Sequence, residues 1–177
     1  MFMMNDVQIL RKLAAEYFEA SQSEANDKRR VLHRAVNDLK MIRPVVLIEE
    51  IPFHELNADG SLTLQCQDED FRGAEDFLRK KLFHWKHFPG DMILTSYFPV
   101  YKGYTSTGIG VSVCEETLAA DANNHIVAHE YMDQLATEAD VAKLHTPVLS
   151  YDEEGTMGRF NKIGNAIGDV VPVKMVG

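Results

Sequence analysis

Residues 68–87, DEDFRGAEDFLRKKLFHWKH, constrain the fold more than any other stretch of this chain. Phe71, Ala74, Phe77, Leu78, Leu82 and Trp85 recur at spacings of three and four, which makes one apolar stripe along a helix. Asp68, Glu69 and Asp70 open the segment, and Arg79, Lys80 and Lys81 follow later, the charge order that complements the helix dipole. Glu75 with Arg79 and Asp76 with Lys80 are spaced for ion pairs one turn apart, each contributing about 0.2–0.5 kcal/mol. Pro89-Gly90 ends the helix. Such a stripe has to be covered, so the rest of the chain must supply a second layer.

The flanking patterns say what that layer is. From Asp6, the spacing of Val7, Leu10, Leu13, Ala14, Tyr17 and Phe18 predicts a helix. A second helix is expected from Ser21, which has the capping-box spacing to Glu24, to about Lys40, with Leu32, Ala35, Val36 and Leu39 inward. Pro44 disfavours helix at Arg43, and Val45-Val46-Leu47-Ile48 then reads as a strand buried on both faces. Turn residues 57–60 precede the alternating Leu62, Leu64 and Cys66, a half-buried strand pattern. Strands are also expected over Met92–Phe98, around Val111–Val113, and over the apolar run from Val170 to Val176. A short helix is expected from Thr137, at capping distance from Asp140, and a last helix from near Ser150, at capping distance from Glu153, with Met157, Phe160, Ile163 and Ile167 as its stripe. The predicted fold is α/β or α+β in one domain, residues 1–177: a helical hairpin over about 6–40, then a mixed sheet with packed helices over about 44–177.

Eighteen basic against 27 acidic residues give a net charge of -9, a field that repels nucleic acid and anionic lipid. The basic clusters Lys28-Arg29-Arg30 and Arg79-Lys80-Lys81 lie in helical segments and read as solvated faces. No run approaches the roughly 18 apolar residues of a membrane span, and MFMMNDVQ lacks the features of a secretory signal, so a cytoplasmic location is expected. Cys66 and Cys114 lack C-x-x-C spacing and are expected to be buried, reduced thiols.

Among residues able to do chemistry, Glu49, Glu50 and His54 in IEEIPFHEL stand at the end of the expected strand, where side chains are often presented to a cleft. Glu49 and Glu50 are adjacent and point to opposite faces if extended, so at most one can pair with His54 as an oriented base. Ordinary exposure explains the same residues. His84 with His87, and His125 with His129, have spacings that bring two rings to one side of a helix, but neither pair has a clear third ligand. The stretch from Tyr101 to Gly110 offers backbone amides to an anion, yet it lacks the P-loop lysine pattern, and hairpin turns account for its glycines.

The series Lys40–Leu56 (KMIRPVVLIEEIPFHEL), Leu62–Cys66 (LTLQC) and Leu82–Met92 (LFHWKHFPGDM) resembles the amino-terminal part of bacterial proteins of the uroporphyrinogen decarboxylase superfamily, in the corrinoid-linked methyltransferase-like branch. The likeness runs through most of the chain, to the acidic Tyr151-Asp152-Glu153-Glu154 and the terminal VPVKMVG. It implies a (β/α)8 barrel and, in the methyltransferase branch, a zinc ion that activates a thiol for methyl transfer, with a corrinoid protein as partner. A complete barrel takes about 250 residues, and the downstream histidine and cysteine zinc ligands have no counterpart here. The resemblance therefore implies a leading segment, natural or truncated, that holds no cofactor and no transferred catalytic residue of its own. Such a segment would act in substrate enclosure or subunit association, presenting Glu50 and His54 near a cleft or contact, with a homo-oligomer or a missing barrel domain as partner. The alternatives are a stand-alone small-molecule enzyme using Glu49 or Glu50 with His54 in proton transfer, and an interaction module.

Overall fold

The computed structural model describes residues 5–118 and 127–177. In chain order these form α1 (Asp6–Ser21), α2 (Glu24–Asn37), α3 (Glu69–His87), β1 (Phe98–Tyr101), β2 (Gly103–Ser106), β3 (Glu115–Leu118), β4 (Ala128–Tyr131), α4 (Glu138–Val141), β5 (Leu149–Asp152), α5 (Glu153–Ile167) and β6 (Val173–Val176). Helices with small parallel and antiparallel sheets and no closed barrel make this an α/β or α+β fold. The contacts divide it into two compact units, Met1–Lys102 with Glu154–Gly177, and Gly103–Glu153.

The first unit holds the core. Asn5 caps α1, its carbonyl oxygen accepting from the Gln8 N–H while Gln8 returns the bond to the Asn5 N–H. The α1 stripe, Ile9, Leu10, Leu13, Ala14 and Tyr17, is buried as its spacing requires, and α3 is its helix partner through Ala74 and Leu78. Ile163, Ala166 and Ile167 of α5, Phe98 and Val100 of β1, and Val171 join them. Each large side chain removed from water here contributes about 1.5–3 kcal/mol. Phe77 sets its ring edge-on to Phe98, centroids 5.2 Å apart.

Polar ties close the unit. Asp68 caps α3 by accepting from the N–H groups of Asp70 and Phe71, and its carboxylate and that of Asp70 both receive the Lys162 ammonium of α5, at 2.6 and 2.8 Å. Arg11 of α1 forms a two-point pair with Asp169, at 2.7 and 2.8 Å. β1 runs parallel to the terminal strand β6, with Phe98 opposite Val173 and Tyr101 opposite Val176.

Three expected strands take another form. Residues 45–48, 62–66 and 92–95 join no sheet, because side chains occupy the backbone groups a neighbouring strand would use. The Asp91 carboxylate accepts the Val46 N–H at 2.8 Å. The Glu75 carboxylate accepts the N–H groups of Gln65 and Cys66, both at 2.8 Å. The Asn26 amide accepts the Leu94 N–H and donates to the Leu94 carbonyl, both at 2.9 Å. Val46, Leu47 and Ile48, expected inside, are exposed.

Helix boundaries are corrected likewise. Ser23, not Ser21, caps α2; Ser21 ends α1, fully buried, its hydroxyl donating to the Phe18 carbonyl. Leu39, expected inward, is 92% exposed in a left-handed turn at φ 55°. Arg79 is no solvated charge: it pairs at 2.7 Å with Glu75, whose side chain is 0% exposed. The Asp76–Lys80 pair forms on the surface at 2.8 Å as expected.

The second unit contains two antiparallel two-stranded sheets, β2 with β5 and β3 with β4. The glycine-spaced stretch therefore does not turn back on Val111–Val113; its first part pairs with residues more than forty positions later, Gly103 opposite Asp152 and Ser106 opposite Leu149. Ser150 lies in β5 and caps nothing, whereas Thr137 does open α4, its N–H and hydroxyl both donating to Asp140.

Candidate functional site

The first unit contains a groove of about 610 Å³ along one side of α3. Its floor is apolar: Phe77 from α3, Phe53 from the turn after IEEIP, and Met92 and Ile93 from the segment Asn26 holds. The polar groups around it come from three elements: His33 of α2, Asp76, Lys80, Lys81 and His84 of α3, and Glu49 from the segment pinned by Asp91. Gly73 also lines it and leaves open space where a Cβ would stand.

Local chemistry fixes these groups. His33 donates from Nε2 to the Asp91 carbonyl at 2.7 Å, which orients its ring. Lys81 carries its ammonium 5.9 Å from the Phe77 ring centre. His84 is the unusual member. Its Nε2 is shut off from solvent and has no hydrogen-bond partner among the described residues, a cost that buried polar atoms seldom carry. Burial, and then the charge of Lys81, hold its pKa below the ordinary histidine value, so the ring stays neutral near pH 7. A neutral imidazole nitrogen of this kind offers either a donor or an acceptor to a molecule in the groove. The other such buried nitrogen, Arg29 Nη1, belongs to a guanidinium lying 4.1 Å from the centre of the Trp85 ring.

The expected trio of acid/base residues is separated. Glu49 lines the groove, whereas Glu50 and His54 do not. After Glu49 the chain folds into successive turns, with Ile51 N–H donating to Glu49 and Phe53 N–H to Ile51, which swings His54 toward Glu55, 3.6 Å from Nε2. The pair His84 and His87 also divides. His87 lies against Phe83 with the rings tilted by 37° and centroids 4.4 Å apart, and lines a different cavity of about 310 Å³ with Lys12 and Glu16. His129 lies in β4, its Nδ1 3.1 Å from Glu115 and its ring stacked on Tyr131. His125 lies outside the described residues. His33 carried no motif, and its spacing from Arg29 and Arg30, read as a solvated face, did not mark it.

The resemblance implies a zinc in complete proteins. Among the described residues, no three His, Cys, Asp or Glu side chains converge as a cage. Burial, reinforced by the Glu75 charge, pushes the Cys66 thiol up to about 12, the reverse of what a thiolate ligand needs. Cys114, expected to be buried, is exposed, its sulfur 3.9 Å from that of Met132. No described helix is long and apolar enough to cross a membrane.

Comparison of the chain with protein-family models, with curated proteins and with solved structures gives no match.

Proposed function

We propose that this chain is a portion of a methyltransferase-type protein of the uroporphyrinogen decarboxylase superfamily, and that its groove helps to enclose a small, largely apolar molecule bearing one hydrogen-bonding group. The resemblance in Lys40–Leu56 and Leu82–Met92 supports the family, and those two stretches supply Glu49, Phe53 and His84 to the groove. The observation that carries the binding reading is the buried, unpartnered Nε2 of His84 beside the Phe77 floor. A ligand hydroxyl that displaces the side chains covering that nitrogen would satisfy it and recover the cost of leaving it unmade. Glu49 stands at the same groove, which His54 does not line. The exposed Met41 and Ile42 lie in the first of these stretches, with the exposed Leu39 just before it, and suit a contact with further protein.

Phenol and toluene separate the polar from the apolar contribution. NMR titration of phenol is expected to move the His84 ring nitrogens and the Met92 and Ile93 methyl groups. His84→Phe should weaken phenol about tenfold, the worth of one hydrogen bond, and leave toluene unchanged. Equal binding of the two probes, or shifts confined to other cavities, would overturn the reading.

A further inference from the structure

The second unit, Gly103–Glu153, is anomalous as a protein surface. None of its described residues is buried. Its sheets have two strands each, a size that is marginal in water without a surface to pack on. Large apolar side chains stand outward instead. In the β2/β5 ladder Tyr104 lies directly opposite Tyr151, with Leu149 on the same face, at 70%, 48% and 64% exposure. Leu118 and Val113 are each 76% exposed.

Its charge is equally one-sided. Between Gly103 and Glu153 the sequence has nine Asp and Glu residues against Lys143 alone, so this unit carries nearly all of the chain's net -9. In the β3/β4 ladder Glu116 is the direct cross-strand partner of Glu130. Two like charges so placed work against their own hairpin. They are favourable only when a positive surface lies over that face.

We propose that this unit is a docking surface for a basic partner protein, one that presents both apolar side chains and Lys or Arg. The tyrosine pair and Leu149 of the β2/β5 sheet supply the apolar contact, and the glutamates of the β3/β4 sheet the electrostatic match. Nucleic acid and anionic lipid are repelled by the same field. A second copy would bring an equally acidic unit against this one. A neutral apolar partner would leave the Glu116–Glu130 opposition uncompensated. The inference is independent of the groove beside α3.

The test uses the full chain and three alternating peptides, Leu/Lys, Ser/Lys and Leu/Glu, followed by NMR shift mapping and light scattering. The Leu/Lys peptide is expected to bind at residues 104–106, 115–118, 128–131 and 149–152, at least about tenfold more tightly than either of the others, and to weaken as salt is raised. Replacing both Glu116→Gln and Glu130→Gln should leave the hairpin as stable or more so, read by amide exchange at 115–118, yet weaken the Leu/Lys peptide severalfold. Tyr104→Ser should weaken it without altering the salt dependence. Equal binding of Leu/Glu, shifts confined to the first unit, or self-association through these same strands would overturn the proposal.

Discussion

Arg43 and Asp91 form a two-point ion pair, Nη1 to Oδ2 at 2.6 Å and Nη2 to Oδ1 at 2.7 Å, across 48 positions of chain. The same carboxylate accepts the Val46 N–H, and the Asp91 N–H donates to the Val46 carbonyl at 2.8 Å. Gly90 just before it adopts φ 45°, where a Cβ would come within 2.7 Å of the Val46 carbonyl oxygen. This junction fastens the segment leading to Glu49 onto the end of α3.

Asp91→Asn is therefore expected to lower the melting temperature and to release amide protection at Val46, measured by hydrogen exchange. The pH dependence has a definite sign. The Arg43 guanidinium and then the Val46 N–H hold the Asp91 carboxyl below its ordinary value of 3.8. Its contribution is thus complete above about pH 3.8 and is lost as pH falls toward the folded-state value. Urea unfolding down to about pH 3 should show this loss in the parent chain and not in the variant.

Glu75→Ala should cost about 3 kcal/mol in chemical denaturation, since it strands the Arg79 guanidinium and two backbone N–H groups in the interior. Burial acts to raise the Glu75 carboxyl, but the bonds from Cys66, Arg79 and Gln65 outweigh it and leave its pKa below the ordinary value. Arg79→Lys, which keeps the charge but loses the fixed donor geometry, should recover only part of the stability.

Asn26→Ala removes an amide that is fully buried and that serves both Leu94 groups and the Ser21 carbonyl. A loss of about 2–3 kcal/mol is expected, with exchange protection at Leu94 falling to that of a surface amide. A change under about 0.5 kcal/mol would mean that backbone neighbours replace the amide.

The two thiols should react differently. A disulfide reagent such as dithiobis-nitrobenzoate is expected to titrate Cys114 quickly in the folded chain and Cys66 only after denaturant is added, because burial keeps the Cys66 thiol protonated. Rapid reaction of both would contradict the placement of Cys66 in the core.

Much of the first unit is legible locally. The stripes of α1 and α3, the acidic start of α3, the Asp76–Lys80 pair and the terminal strand all follow from spacing, as does the Thr137 start of α4 in the second unit. The candidate site was half legible: Glu49 and His84 were marked by type and position, while His33 was not, and Glu50, His54 and His87 are not among the residues that line the groove. A turn of the backbone between Glu49 and Phe53 decides that separation, and no periodicity describes it.

By itself the sequence determined the helices, the charge and the apolar residues that want cover, because helix spacing and composition act over one or two turns of chain. Tertiary structure alone decided that Val45–Ile48, Leu62–Cys66 and Met92–Thr95 form no sheet. Their backbone groups meet Asp91, Glu75 and Asn26, which lie between nine and 68 positions away. A carboxylate or amide brought in from so far satisfies an extended backbone as well as a neighbouring strand would, and a residue pattern read along the chain cannot tell the two partners apart.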